Sequence, residues 1–156
     1  MNRLNYKKLV KLILVPLASV TIFTGFNASH ESSANAASKK AVSRAYKVAE
    51  SKLGSPYVYG AVGPTSFDCS GFTQYIYEQA HVTLARTAQG QYNTTTPVLR
   101  SNLKKGDLVY FGDDATSISH VGFYIGNGEM IDAQNNGVVT EKIDAPWWTI
   151  VGYSRP

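Results

Sequence analysis

The sequence predicts an α+β domain in which N-terminal helices pack on a C-terminal antiparallel β-sheet. Apolar residues recur at helical spacing at Ala41, Ala45, Val48, Ala49 and Leu53, and again at Phe72, Ile76 and Ala80. From Lys104 the pattern changes to short apolar or alternating runs divided by turn residues, and Gly126-Asn127-Gly128 is the strongest hairpin signal among them. Helices grouped first and strands grouped second give segregated layers rather than alternating βαβ units.

The first helix is amphipathic and stops at Gly54, a residue suited to the left-handed conformation that closes a helix. Residues 54–66 are rich in Gly and Pro, carry Tyr57 and Tyr59, and read as a loop. A second helix starts at or beside Cys69, with Phe72, Ile76 and Ala80 on one face and Tyr75 flanking them. Residues 84–92 are ambiguous, with a short helical turn after Arg86. Gly106-Asp107 introduces the apolar run 108–111, residues 120–125 alternate, 129–133 return from the turn, 137–141 add a further strand, and 149–153 close the chain.

The hairpin register decides which side chains share a face. A three-residue loop at Gly126-Asn127-Gly128, with glycine in the left-handed region, pairs Ile125 with Glu129. Val121, Phe123, Ile125, Ile131 and Ala133 then form one apolar face, and His120, Gly122, Tyr124, Met130 and Asp132 form the other. A two-residue Asn-Gly turn would instead put Asp132 among the apolar side chains, since a slip of one residue exchanges the faces. In the preferred register His120 and Asp132 are diagonal neighbours on adjacent strands.

Residues 1–36 read as a cleavable signal peptide, residues 37–40 as a short linker, and residues 41–156 as one domain. Arg3, Lys7, Lys8 and Lys11 precede a mostly apolar run from Leu12 to Phe26, and Ala34-Asn35-Ala36 has the small-x-small form of a cleavage site. The apolar run is shorter than the ~20 residues of a membrane span. Without residues 1–36 the chain keeps 11 basic and 10 acidic residues, so the precursor's net charge of +4 belongs largely to its leader. Nucleic-acid binding draws no support from that balance. The remaining 120 residues suit one compact domain, expected to be monomeric and without stable membrane insertion once the leader is cut.

Cys69 is the only cysteine, so it cannot form an internal disulfide. In an exported protein it is a buried thiol, a partner for another chain, or a nucleophile. A helix N-terminus favours the thiolate, and its free backbone N–H groups suit an oxyanion. Ser70 and Gly71 are small and leave room for substrate over the sulfur. A nucleophilic cysteine needs a base, and outside the leader only His81 and His120 are available. His81 reads as a solvated loop residue. His120, at the start of an alternating strand, is balanced between a structural role and a base. Asp132 is the residue placed to orient it, although spacing alone leaves it an ordinary strand carboxylate. Neither a metal site nor a cofactor is expected: two histidines and one cysteine lack zinc-ligand spacing, and Asp113-Asp114 does not follow a calcium-loop pattern.

Four segments together resemble the NlpC-type cell-wall endopeptidases. They are Asp68-Cys69-Ser70-Gly71-Phe72, Leu84-Ala85-Arg86-Thr87-Ala88, Gly106-Asp107-Leu108-Val109-Tyr110-Phe111, and the run from Ile118 to Gly128. The resemblance covers residues 41–155 and implies a papain-like core that hydrolyses peptidoglycan stem peptides, between D-γ-glutamate and the following diamino acid. It assigns Cys69 as nucleophile, His120 as base and Asp132 as the third, orienting residue. Many relatives have His, Asn or Gln at that third position, so Asp132 is a departure, though a carboxylate can also orient an imidazole. The resemblance also puts Tyr57 near the thiolate, Asp68 beside the substrate's free amine, and Arg86 and Thr87 beside the groove. For Asp68 a helix N-cap is an equal reading, and Arg86 could serve as an ion-pair partner. The implied location is extracellular or wall-associated, and the long leader resembles those of Gram-positive bacteria. The implied partner is peptidoglycan peptide. An amidase or acyltransferase on the same core, or a wall-binding domain without activity, are the alternatives.

Overall fold

A computed structural model describes the backbone of residues 27–156 and the side chains of residues 38–156. Three helices precede or border a six-stranded antiparallel sheet: α1 (Asn27–Ser51), α2 (Cys69–Gln79), α3 (Ala88–Thr94), β1 (Thr96–Val98), β2 (Leu108–Gly112), β3 (Ile118–Gly126), β4 (Glu129–Gln134), β5 (Gly137–Lys142) and β6 (Ile150–Arg155). The strands lie in the order β1-β6-β2-β3-β4-β5. Most of the predicted leader lies outside the described residues, and α1 runs through its last ten positions as well as the domain's first helix.

The helical layer covers one face of the sheet. Ala45 and Ala49 of α1 and Phe72, Ile76 and Tyr77 of α2 are buried against Leu108, Tyr110, Val121, Phe123, Ile131 and Ala133. The opposite face buries Val109, Phe111, Met130 and Ile143, with Tyr124 and Trp148 packed on them. Both faces of the central strands are therefore dry, and their alternation separates two cores. One helical expectation fails at its edge. Leu53 is 46% exposed because α1 ends at Ser51, where Gly54, at φ +82°, turns the chain and donates its N–H to Val138 O of β5. β1 was not foreseen, since three residues centred on Pro97 carry little strand signal, and such a proline is tolerated only on an edge.

The hairpin combines both turns weighed from sequence. Phe123 pairs with Ile131 and Tyr124 with Met130, the preferred register, but Gly126 pairs with Glu129 around a two-residue Asn127-Gly128 turn. A bulge at Ile125 absorbs the difference, helped by Gly126 at φ +102°. Asn127 and Gly128 both have positive φ, as this turn requires.

Helix α2 packs tightly on the 54–66 loop. A Cβ on Gly71 would lie 2.2 Å from Ala61 O, which is backbone and cannot step aside alone. Gly71→Ala is expected to lower stability by roughly 1–3 kcal/mol, the ordinary cost of overpacking, read as a lower urea midpoint.

Candidate active site

Cys69 is the first residue of α2, held there by Asp68 as N-cap. Asp68 Oδ1 accepts from Gly71 N at 2.6 Å, and Oδ2 accepts from Gly60 N at 2.9 Å, so one carboxylate ties the helix start to the loop. Arg86 donates to both oxygens, at 3.1 and 2.5 Å, and to Ser70 Oγ at 3.1 Å. Burial alone would raise the Asp68 pKa, but Arg86 and the two N–H groups outweigh it and hold the carboxyl below its usual range. The N-cap weighed for Asp68 and the ion-pair role weighed for Arg86 are both realised by this one carboxylate. The first-turn N–H groups of Cys69 and Ser70 have no carbonyl four residues back within the helix, which leaves them available to an anion.

His120 and Asp132 are brought together as the register requires. His120 Nε2 lies 2.8 Å from Asp132 Oδ2, with the imidazole 8% exposed and the carboxyl fully buried. The Cys69 side chain lies close enough to the same imidazole to help raise its pKa. With Nε2 facing Asp132, Nδ1 is the ring nitrogen left for the sulfur. Burial pulls the His120 pKa down, yet Asp132 and Cys69 together overcome it and raise it to about 9. Burial pushes Asp132 up to about 6 against the hydrogen bond from His120, and Glu141 adds to the rise. Between those two values the pair is an imidazolium facing a carboxylate.

Gly122 makes room for this pair. A Cβ there would meet Met130 Sδ at 2.3 Å and the Asp132 Cβ at 3.4 Å. Two aromatic rings complete the pocket around the imidazole, and the sequence reading placed neither of them there. Trp148 stacks on His120 with centroids 4.4 Å apart and planes 13° apart, and Phe111 flanks it at 5.8 Å. An indole face over an imidazolium contributes on the order of 1–2 kcal/mol toward the charged ring. Only a tertiary contact from the β5–β6 connection brings Trp148 there, so no local pattern announces it.

An open cleft of about 420 Å³ lies over Cys69, lined among others by Tyr57, Tyr59, Asp68, Ser70, Arg86 and Thr87. All five residues assigned to substrate contact therefore border one space. Tyr57 sits beside Cys69 and Asp68, and burial followed by those neighbours raises its phenol pKa. Thr87 also has a structural task, because its Oγ1 caps α3 by accepting from Gly90 N at 3.0 Å. His81 lies away from the cleft: it follows α2 at φ +62° and its Nε2 is 3.1 Å from an Arg44 guanidinium nitrogen. Asp113 and Asp114 are exposed, and Asp114 Oδ1 accepts from Thr116. Among the described residues no group of three His, Cys, Asp or Glu could hold a metal, and no helix is long and apolar enough to cross a membrane.

A thiol at a helix N-terminus, an imidazole on a neighbouring strand and a carboxylate behind it, on helices packed against an antiparallel sheet, define a papain-like α+β domain. The NlpC/P60 family model matches residues 54–152, and the chain belongs to that family. It is 49% identical over 109 residues to a probable endopeptidase p60 of Listeria seeligeri, covering 69% of this chain and 21% of that protein. It is 39% identical over 107 residues to the bifunctional muramidase/DL-endopeptidase CwlT of Bacillus subtilis, covering 65% and 32%. A crystal structure of an NlpC/P60 family protein from Bacillus cereus superposes with a TM-score of 0.70 at 31% identity, covering 73% of this chain and 39% of that one. The chain spans about a fifth to a third of the length of these two curated relatives.

Proposed function

We propose that this protein is a secreted cysteine endopeptidase that hydrolyses peptidoglycan stem peptides at the D-γ-glutamyl–diamino acid bond. The observation that carries the reading is the line Cys69–His120–Asp132 opening onto the cleft, with His120 Nε2 on Asp132 at 2.8 Å and Cys69 on the same ring. The relatives named endopeptidase p60 and DL-endopeptidase supply the bond class. In the proposed cycle the Cys69 thiolate attacks the scissile carbonyl, and the oxyanion forms against the first-turn N–H groups of α2. The His120 imidazolium gives its proton to the departing amine as the C–N bond breaks, leaving a thioester. Neutral His120 then takes a proton from water, hydroxide attacks the thioester, and the carboxylic acid leaves while the thiol is restored. Asp132 holds the ring in place and favours its charged form. Tyr57, Asp68, Ser70, Arg86 and Thr87 border the peptide groove in this reading, with Asp68 near the substrate's free amine.

Residues 1–36 serve as the signal peptide in this proposal, which puts the enzyme outside a Gram-positive cell or in its wall, as a monomer. Digestion of defined muropeptides by the purified mature chain, followed by mass spectrometry, tests the bond. Fragments ending in D-γ-glutamate are expected. Release of intact stem peptides from the sugar would overturn the endopeptidase reading in favour of an amidase.

A further inference from the structure

Glu141 ends up in an unusual place for an edge-strand carboxylate. In the β4–β5 ladder Asp132 pairs with Val139 and Met130 with Glu141, which makes Glu141 the diagonal neighbour of Asp132 on the same face. Its Oε1 accepts from Trp148 Nε1 at 2.9 Å, and that indole is the one stacked on His120. The other carboxyl oxygen of the catalytic pair, Asp132 Oδ1, is fully buried and accepts no hydrogen bond from any donor.

We propose that Glu141 is a positioning residue of the active site, which anchors Trp148 over His120 through the indole N–H. The inference rests on the reading of Cys69, His120 and Asp132 as the reacting set. Asp132 thus holds the imidazole edge and Trp148 its face, and Glu141 holds Trp148 by the indole N–H. The groups around Asp132 and Glu141 are His120 from β3, Met130 from β4 and Trp148 from the β5–β6 connection. Lys142, next along β5, instead reaches Glu129 at 2.9 Å.

Glu141→Gln and Glu141→Ala separate the parts of this claim. Glutamine keeps a carbonyl oxygen for the indole N–H, so Glu141→Gln is expected to keep kcat within about threefold of the parent, while Glu141→Ala lowers kcat about tenfold or more with KM nearly unmoved. A second readout needs no substrate. The chain has two tryptophans, and Trp147 is 67% exposed. In a Trp147→Phe background the fluorescence of Trp148 reports the charge of the ring stacked on it. Its pH midpoint is expected to shift in Glu141→Ala and to return toward the parent value in Glu141→Gln. Parental kcat, pH profile and fluorescence midpoint in Glu141→Ala would overturn the inference. Equal impairment of both variants would overturn the hydrogen bond to the indole as the means of positioning. Should Glu141→Ala fail to fold, Glu141→Leu takes its place with the same expectations. Cys69→Ala keeps the two levels apart: full activity there sinks the underlying reading, whereas a dead Cys69→Ala beside a parental Glu141→Ala sinks this inference alone.

Discussion

Cys69→Ala is expected to abolish muropeptide cleavage, by roughly 10⁴-fold or more, because removal of a covalent nucleophile leaves only binding and the oxyanion donors. The fold should persist. Cys69 is only partly buried at the rim of the helical core, and its side chain caps nothing, since Asp68 performs that role. Thermal unfolding of Cys69→Ala within a few degrees of the parent, together with loss of product by mass spectrometry, is the expected result. Residual cleavage near the parental rate would remove cysteine catalysis from this protein. The chain's single thiol makes a second check direct: one equivalent of a thiol-directed reagent should extinguish activity in step with its incorporation.

The second large effect concerns His120 and the charge behind it. His120→Ala is expected to lower kcat/KM about 10³-fold or more, and Asp132→Ala by a smaller factor of about 10–100, since the first removes the proton carrier and the second only its support. The pH profile gives the more specific reading. With Asp132 near 6 and His120 near 9, kcat/KM should form a bell whose plateau spans that interval, both limbs belonging to the coupled pair. Asp132→Asn removes a charge that raises the His120 pKa, so the alkaline limb must move to lower pH. The same sign applies to stability. His120 is raised above its unfolded value near 6.5, so its contribution is complete below that pH and is lost as pH climbs through about 9. An alkaline limb that stays in place in Asp132→Asn would show that the carboxylate does not set the ring's charge.

The route from sequence to site ran through register. Apolar spacing announced α2, and the alternation on either side of Gly126-Asn127-Gly128 was enough to place His120 and Asp132 on one face before any coordinates. What escaped was of two kinds. Leu53 and β1 lie where helix or strand signals fade over a few residues, and there turn geometry and edge pairing outweigh propensity. Trp148 and Glu141 escaped for another reason. Each reads locally as an ordinary loop aromatic or strand carboxylate, and only the β4–β5 ladder and the β5–β6 connection bring them to the imidazole. Asp68 shows a third case, in which the structural readings weighed separately for Asp68 and Arg86 meet on one carboxylate because it has two oxygens to share.

The bulge at Ile125 separates the length of the hairpin tip from the alignment of the strands beneath it. Whatever the loop does beyond Tyr124 and Met130, the ladder below them decides where Asp132 meets His120. The tip is thus a region where insertions can be written without disturbing the chemistry: a short peptide tag between Asn127 and Gly128 would sit on the exposed end of the sheet while the reacting groups keep their spacing. A hairpin closed by its turn alone would have no such freedom, because each added residue there would be read by every pair down the strands.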